Sequence, residues 1–459
     1  MRIFVIVVSL FLLPNLAMSE EYELAIRNVT VVDAASTPRP SATVYLAGDK
    51  IALIEVGPSE HSATHSIDGT GKYLVPGLWD MHVHIVYEPE LIEAMPRLFL
   101  DYGITSVRDT GALLEEIRPE VKRWEMMGVQ APELFFSGPL MDGELVVYNG
   151  EGRSEIGVSN PSVKQALNNF EELRAEGVHF IKIYELVSPE VFEALVDAAS
   201  EAGLPIAAHV PLSMRADTAG PKVGSMEHLR NIEIACSAES ASLHATRRKE
   251  IDEPGEKSGY ELRRHLHQTQ RTVALDTVNV DSEKCLAVLQ TLKNTIQVPT
   301  IRLNTITKYS PLKRGDWQEH LNQIPEAVSE KWLSTARMYA GQGSGLGLAM
   351  SDWSMQLVAK MTNVGVPIGA GTDTPIGQAI PGYSLHTELE RLVEAGLTPR
   401  QALAAATIRP AEFFSREDEM GLIEVGMEAD LLLLQHNPLD DIRHTRSILR
   451  VISDGRIVR

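Results

Sequence analysis

The chain has 459 residues, of which 44% are hydrophobic and 23% are charged, a composition typical of a globular protein. This length allows one large domain with a smaller one beside it. The formal net charge of −20 and the lack of a long basic run argue against a nucleic-acid partner, because phosphate backbones are bound by clustered positive charge.

Residues 1–19 have the pattern of an export signal. Arg2 precedes an apolar stretch over residues 3–13, and small residues at Ala17 and Ser19 fit cleavage after Ser19. The stretch is shorter than the roughly 20 residues that span a bilayer, so we expect a cleaved signal, with an uncleaved anchor as the alternative. The sequence therefore predicts an exported protein, periplasmic or extracellular, with no membrane attachment after the signal is removed.

Both ends of the mature chain are predicted to be rich in β-strands. Residues 47–49 form a turn between two apolar runs, which is typical of a β-hairpin, and residues 453–455 repeat this pattern near the C-terminus. We therefore predict one small β-sandwich domain that is assembled from residues 20–75 and residues 416–459.

Residues 76–415 alternate short apolar runs with amphipathic helical patterns, which is typical of βα units and a parallel sheet. Eight such runs favour a (β/α)₈ TIM barrel, with a doubly wound open sheet as the alternative. The predicted strands are residues 74–83, 104–108, 133–137, 179–184, 205–209, 225–228, 298–303 and 366–371. Two long connections contain helical patterns at 250–270 and 329–338, and insertions of this kind often build substrate pockets.

The two cysteines of the chain, Cys236 and Cys285, both lie in the first long connection. A disulfide is permitted in an exported protein, but two cysteines so far apart do not imply one, so the sequence leaves their pairing open. Their spacing is not that of a metal-binding pair.

The most informative motif is His82-Val83-His84, at the end of the first predicted strand of the barrel. Side chains two positions apart on a strand share a face, so the two imidazoles project together and can hold a divalent metal ion. A chance pair on a solvent-facing strand is the alternative. Further ligands elsewhere in the chain decide between the two interpretations.

Other polar residues stand at or near the ends of later strands. Lys182 and Tyr184 lie on the fourth predicted strand, His209 ends the fifth, His228 ends the sixth and Asp373 follows the eighth. In a barrel, the carboxyl ends of the strands form the active site. Each residue alone has an ordinary explanation in the core or at the surface, but their coincidence in register predicts a metal site.

In this order, the motif and these residues resemble the amidohydrolase superfamily, and the resemblance covers nearly all of the mature chain. It includes residues 75–81 before the first histidine and residues 426–431 after the barrel. Residues 103–111 and 397–407 are similar to a group that contains Xaa-Pro dipeptidases and imidazolonepropionase-like proteins.

The resemblance implies two divalent metal ions. His82, His84 and Asp373 would hold the first ion, and His209 and His228 would hold the second. Zinc is the default metal for such nitrogen and oxygen ligands, although manganese, iron and cobalt are not excluded.

The resemblance also implies catalytic roles. Lys182, carboxylated by carbon dioxide, would bridge the metals, which requires the neutral amine that an apolar strand favours. A metal-bridging hydroxide would attack the substrate, Asp373 would shuttle its proton to the leaving nitrogen, and Tyr184 would hydrogen-bond the carbonyl oxygen. Independently of the resemblance, Arg302 at the end of strand seven is a candidate to bind a substrate carboxylate, with a surface salt bridge as the alternative.

Two loops depart from the pattern of this group. Residues 137–153, after strand three, contain no Gly-Gly-His sequence, and residues 210–215, after strand five, contain no His-Ala-x-Gly sequence. The substrate of any one relative therefore cannot be assigned to this chain.

The sequence predicts an exported, metal-dependent amidohydrolase that cleaves a C–N amide bond in a small-molecule substrate, of the dipeptide or N-acyl amino acid type. The alternatives are a cyclic-amide hydrolase or a mononuclear deaminase on the same scaffold, and a catalytically inert, metal-containing binding protein. The oligomeric state is left open, and a homo-oligomer fits the sequence as well as a monomer does.

Overall fold

The computed structural model describes residues 22–341, 343 and 345–459, so the predicted export signal at residues 1–19 lies outside the described residues. The strands are β1 (Tyr22–Val31), β2 (Arg39–Ala47), β3 (Lys50–Val56), β4 (Ala63–Asp68), β5 (Tyr73–Pro76), β6 (Leu78–Val83), β7 (Ile104–Asp109), β8 (Glu133–Phe136), β9 (Leu140–Asp142), β10 (Gly157–Ser159), β11 (Ile181–Ile183), β12 (Ile206–Ala208), β13 (Ser225–Glu227), β14 (Ile296–Val298), β15 (Leu431–Leu434), β16 (Ile448–Ser453) and β17 (Arg456–Ile457).

Helices fill most of the connections between these strands. The α-helices are α1 (Met95–Asp101), α2 (Leu114–Met127), α3 (Val163–Ala175), α4 (Pro189–Ala202), α5 (Ala216–Ala219), α6 (Ile232–Cys236), α7 (Ser240–Asp252), α8 (Gly259–Thr277), α9 (Glu283–Thr291), α10 (Ile301–Asn304), α11 (Gly315–His320), α12 (Glu326–Tyr339), α13 (Gly345–Val364), α14 (Tyr383–Glu394), α15 (Pro399–Ala405) and α16 (Ile408–Phe413). Across the described ranges, we find no helix whose length and apolar character would let it cross a membrane.

The two ends of the chain meet in one eight-stranded sheet with the order β17-β16-β15-β5-β1-β2-β3, in which β4 also pairs with β1. Both predicted hairpins are confirmed, because β2 pairs with β3 and β16 pairs with β17. In the structure, these strands from the two ends of the chain form one branched sheet. The branch arises at β1, whose register shifts on either side of Val29 let it pair with β4 along its first half and with β5 at its end.

The middle of the chain contains two parallel sheets, which confirms the predicted α/β class. One sheet has the order β10-β9-β11-β12-β13-β14 and the other has the order β6-β7-β8. The strands are buried along their whole length apart from the partly exposed β10 and the first residue of β8, because helices cover the sheets.

The predicted seventh strand, at residues 298–303, is wrong in its bounds. β14 ends at Val298, and α10 begins at Ile301. The carboxylate of Glu388 accepts hydrogen bonds from the backbone N–H groups of Ile301 and Arg302, each at 2.7 Å. These bonds satisfy amides at the start of a helix, so they stabilise a helical turn where the sequence predicted a continued strand.

Residues 366–371, the predicted eighth strand, are not assigned as a strand, but they hydrogen-bond on both sides. The N–H of Gly369 donates to the carbonyl of Gln297 at 2.8 Å, and the N–H of Met81 donates to the carbonyl of Ala370 at 2.9 Å. The segment therefore lies between β14 of the larger parallel sheet and β6 of the smaller one.

The predicted helix at residues 250–270 is divided into two. α7 ends at Asp252, and α8 begins at Gly259 after a capping box in which Ser258 and Glu261 satisfy each other's backbone amides. Cys236, at the end of α6, forms a disulfide with Cys285 in α9, which settles the pairing that the sequence left open.

Candidate metal centre

Three of the predicted ligands come together at the carboxyl end of β6. Asp373 Oδ1 lies 3.4 Å from His82 Nε2 and 3.2 Å from His84 Nε2, and all three side chains are buried. The ligand atoms of the three residues lie within 4.8 Å of one another, close enough for one metal ion to contact all of them. The period of a strand positions the two histidines, and the N–H of Asp373 donates to the carbonyl of His82 at 2.7 Å.

His209 and His228, which follow β12 and β13, extend this group. His228 Nε2 lies 4.0 Å from Asp373 Oδ2, and the ring centroid of His228 lies 4.6 Å from that of His82 and 4.7 Å from that of His209. The structure therefore brings all four predicted histidines and the predicted aspartate into one buried site.

Two of these residues have strained backbones. His228 has a φ of 58° and Asp373 has a φ of 62°, in the left-handed region that residues other than glycine rarely adopt. Such strain persists where the surrounding structure enforces it, and it concentrates at functional sites.

The four histidines share one arrangement of hydrogen bonds. Each uses Nδ1 for a partner outside the site, and these partners are Glu227 Oε2 for His82 (2.6 Å), Gly111 O for His84 (3.1 Å), Glu185 Oε1 for His209 (2.8 Å) and Thr300 Oγ1 for His228 (2.7 Å). Bonds of this kind fix the ring orientation of metal-binding histidines, and they leave Nε2 of each ring for the site.

Burial sets the charge of three of these four imidazoles, those of His82, His209 and His228. It lowers the pKa of His82 to about 4 and that of His209 to about 3, and it lowers the pKa of His228 well below its usual value. These rings are therefore neutral near pH 7, which is the form that binds a metal ion.

Lys182 lies in the middle of β11 and is almost fully buried. Its Nζ has no hydrogen-bond partner among the described residues, which is costly for a buried amine. Burial lowers the pKa of Lys182 to about 8, so a neutral amine is accessible near physiological pH. An unpartnered, readily deprotonated amine beside neutral imidazoles fits a carboxylated, metal-bridging lysine.

Glu227 and Arg108, to which the sequence analysis assigned no role, hold His82 in place. Glu227 accepts a hydrogen bond from His82 through Oε2, and through Oε1 it accepts bonds from Arg108 Nη2 at 2.8 Å and Ser225 Oγ at 2.7 Å. Burial raises the pKa of Glu227, but Lys182 and Arg108 outweigh it and hold that pKa well below the usual range. One feature of the sequence could have indicated this role: Glu227 is a charged residue in a short buried strand, immediately before the predicted ligand His228.

Glu185 plays the same part for His209. It accepts hydrogen bonds from His209, from Arg263 Nη2 at 3.0 Å and from His267, and the last two residues lie one turn apart on α8. Leu262 and Leu266 of the same helix pack into one apolar cluster with Tyr184. The predicted insertion therefore reaches the candidate site, although its sequence gave no indication of which residues would do so.

Tyr184, predicted as a catalytic residue, lies beside His209. The two ring centroids are 4.4 Å apart, and the tyrosine is buried. Burial raises the pKa of the Tyr184 hydroxyl well above its usual value, so the hydroxyl stays protonated and can donate a hydrogen bond.

Arg302 is not at the surface, as the alternative of a surface salt bridge requires. It is buried, and its guanidinium donates to the carbonyls of Thr372 at 2.8 Å and Ile376 at 3.0 Å. Asp80 holds the same segment, because it accepts bonds from the N–H and the hydroxyl of Thr372 at 2.9 and 2.6 Å. Both side chains therefore fix the backbone that carries Asp373, and Arg302 has little capacity left for a substrate.

Comparison with known proteins agrees with this site. A model of the amidohydrolase family matches residues 348–458, the part of the chain that includes Asp373. The ochratoxinase of Aspergillus niger is 31% identical over 164 residues, which cover 31% of this chain and 33% of that protein. The imidazolonepropionase of Alkaliphilus metalliredigens is 22% identical over 452 residues, which cover 90% of this chain and 91% of that protein.

Solved structures share the fold over almost the whole chain. A Xaa-Pro dipeptidase with methionine bound in its active site superposes with a TM-score of 0.66 at 21% identity, and the match covers 95% of this chain and 99% of that one. The likeness to the amidohydrolase family is one of sequence over residues 348–458, and the likeness to the solved structures is one of fold over almost the whole chain. The matched segment spans only about a third of the ochratoxinase.

Proposed function

We propose that the protein is an exported, metal-dependent amidohydrolase that cleaves the C–N amide bond of a dipeptide or an N-acyl amino acid. One observation carries this proposal: the side chains of four histidines and the carboxylate of Asp373 converge in a buried site that also contains the Lys182 amine, which has no hydrogen-bond partner among the described residues. In this proposal, the two parallel sheets and residues 366–374 form one (β/α)₈ barrel, with the site at the carboxyl ends of its strands.

The donor set fits two divalent metal ions, of which zinc is the default. The residues that would hold them are His82, His84 and Asp373 for the first ion, His209 and His228 for the second, and carboxylated Lys182 for both. When bound, such ions polarise a substrate carbonyl and lower the pKa of a water molecule towards neutrality.

Two residues of the chain would then take part in the reaction: Asp373 would transfer a proton, and Tyr184 would bind the carbonyl oxygen of the substrate. Asp373 would accept the proton of the attacking water on a carboxylate oxygen and deliver it to the leaving nitrogen as the C–N bond breaks. The hydroxyl of Tyr184, which burial keeps protonated, would donate a hydrogen bond to the substrate carbonyl oxygen as negative charge develops there.

Export to the periplasm or the extracellular space is part of the same proposal. The disulfide between Cys236 and Cys285 supports it, because structural disulfides persist in oxidising compartments. The apolar stretch at residues 3–13 supports it from the sequence.

The test combines the metal content of the purified protein with a substrate panel of Xaa-Pro dipeptides, N-acyl amino acids, cyclic amides and adenine. We expect two metal ions per chain, hydrolysis of a linear amide, and loss of activity in His82→Ala and Asp373→Asn. Full activity in either variant would contradict the proposal. One metal ion per chain with activity on adenine would favour a deaminase, and inertness across the whole panel would favour a binding protein.

The bridging role of Lys182 is tested separately. We expect Lys182→Ala to bind fewer metal ions, because the variant lacks the shared anionic ligand. A short carboxylate such as propionate should restore part of the activity by occupying the space of the missing side chain. Unchanged metal content in Lys182→Ala would contradict a bridging lysine.

A further inference from the structure

A second arginine, Arg230, lies beside the candidate metal centre with unused hydrogen-bonding capacity. It stands two residues after His228, and its charge acts on His209 and Tyr184. Its Nε is buried without a hydrogen-bond partner among the described residues, and its ion pair with Glu185 Oε1 is 3.9 Å long. Only 17% of its side chain is exposed. A nearly buried guanidinium with free N–H groups is costly unless a ligand satisfies it.

Arg263 of α8 is the neighbouring guanidinium. Its Nη2 donates to Glu185 Oε1 at 3.0 Å, and its guanidinium carbon lies 5.9 Å from the centroid of the Tyr184 ring. Its Nε, like that of Arg230, is buried and unpartnered among the described residues. Glu185 carries a single negative charge, so it cannot neutralise both arginines, and its oxygens also accept hydrogen bonds from His209 and His267.

Positive charge is concentrated around these two arginines. Four guanidinium groups interact with one another and with the carboxylates of Glu185 and Glu233. The four arginines are Arg230, Arg247, Arg263 and Arg271. Arg271 pairs with Glu233 at 3.0 Å, and Arg247 donates hydrogen bonds to the neutral side chains of Asn231 and Gln270. An anionic ligand would offset this concentration of positive charge.

We propose that Arg230 and Arg263 bind the α-carboxylate of the substrate, so that the enzyme requires a free carboxylate on the amino acid side of the amide bond. The proposal rests on the proposed function and adds which substrates the enzyme would accept. The planar guanidinium matches the two oxygens of a carboxylate, and the contact beside Tyr184 and His209 would orient the amide carbonyl towards the metal centre. This is the role that the sequence analysis gave to Arg302.

The kinetic test uses N-acetyl-L-methionine and its uncharged analogue N-acetyl-L-methioninamide. We expect the wild type to prefer the acid, and we expect Arg230→Met to lower kcat/KM for the acid about 100-fold while changing that for the amide by less than about 3-fold. Arg230→Lys should lose about 10-fold, because it keeps the charge but not the planar fork. Arg264→Met, an exposed arginine on α8 beside Arg263, is the matched control and should leave both rates unchanged.

A binding test separates this proposal from the proposed function. L-methionine and L-methioninol contain no amide bond, so calorimetry with the metal-loaded protein measures binding without turnover. We expect L-methionine to bind at least about 10-fold more tightly, and we expect Arg230→Met to abolish the difference. If this holds while no amide is hydrolysed, the carboxylate site stands and the proposed function fails. Equal binding of both ligands by the wild type, or equal loss of both substrates in a folded Arg230→Met protein, would overturn the carboxylate site alone.

Discussion

His82 and Glu227 form a direct pair between two strands of different parallel sheets. His82 Nδ1, at the end of β6, lies 2.6 Å from Glu227 Oε2, at the end of β13, and both side chains are buried. Arg108 in β7 completes the connection through Glu227 Oε1 and the carbonyl of Met81. The orientation of a predicted metal ligand therefore depends on two charged residues that need not touch the metal.

Glu227→Gln should weaken metal binding. A glutamine has only one acceptor oxygen, so its NH₂ group must face either the donor on His82 or the donors on Arg108 and Ser225. We expect metal affinity, measured by competition with a chromophoric chelator, to fall about 10- to 100-fold. Glu417→Gln, at an exposed position, is the control. Thermal unfolding checks that the variant is folded, and unchanged affinity in a folded variant would rule out this role of Glu227.

The convergence of the candidate ligands could be predicted from the sequence because each one follows a local rule. The two-residue period of a strand places His82 and His84 on one face, and strand ends place the other ligands. Their partners followed no local rule, since Arg108 and Glu227 are 119 residues apart, and Glu185 is 82 residues from His267. A charged residue in a buried strand indicates that it has a partner, but the tertiary packing decides which one.

The contacts of Arg302 could not be predicted for the same reason. Its position near the end of the seventh predicted strand favoured a substrate contact, whereas the structure turns the chain into α10 and directs the guanidinium to backbone carbonyls near Asp373. Arg230 has an equally plain sequence position, two residues after His228. Only the number of acceptors around each side chain, which the sequence does not show, distinguishes the two arginines.

The disulfide should contribute measurably to stability. It closes a loop with a sequence separation of 49 residues, and constraining such a loop in the unfolded chain is worth about 2–4 kcal/mol. We expect the double variant Cys236→Ala/Cys285→Ala to lose about that much free energy of unfolding in urea. A reducing agent should lower the stability of the wild type but not that of the variant. Equal sensitivity of the two proteins would show that the bridge is not formed in solution.

Stability should also depend on the buried imidazole of His386, which is remote from the metal ligands. Its Nε2 donates to the carbonyl of Tyr102 at 2.9 Å, its Nδ1 lies 2.8 Å from Thr445 Oγ1, and burial lowers its pKa from 6.5 to about 3. Between these values the unfolded chain binds a proton that the folded protein does not. The free energy of unfolding therefore falls as pH decreases from about 6 to 4, by about 1.4 kcal/mol per pH unit from this group.

His386→Gln isolates that contribution, because glutamine can hydrogen-bond but does not titrate. Urea unfolding of both proteins at pH 4, 5 and 6 gives the two slopes. The variant should be less stable at pH 6 and show the shallower dependence on pH, while every other histidine titrates alike in both proteins. Identical slopes would mean that the folded protein accepts a proton on His386 at a normal pKa.

A substitution at Gly371 tests how closely residues 366–374 must approach β6. A Cβ at this position would lie 2.6 Å from Val298 Cγ1 and 2.8 Å from His82 Cβ, distances that require one of the neighbours to move. Asp373 lies two residues further along the same segment, so the displacement would separate it from the histidines. We expect Gly371→Ala to lower the free energy of unfolding by about 1–3 kcal/mol and to weaken metal binding.

Gly315→Ala, where a Cβ meets nothing within 4 Å, should change stability by less than about 0.5 kcal/mol and leave metal binding intact. If Gly371→Ala lost stability but kept its metal affinity, the segment would be able to yield without moving Asp373, and the close contact with His82 would serve packing alone.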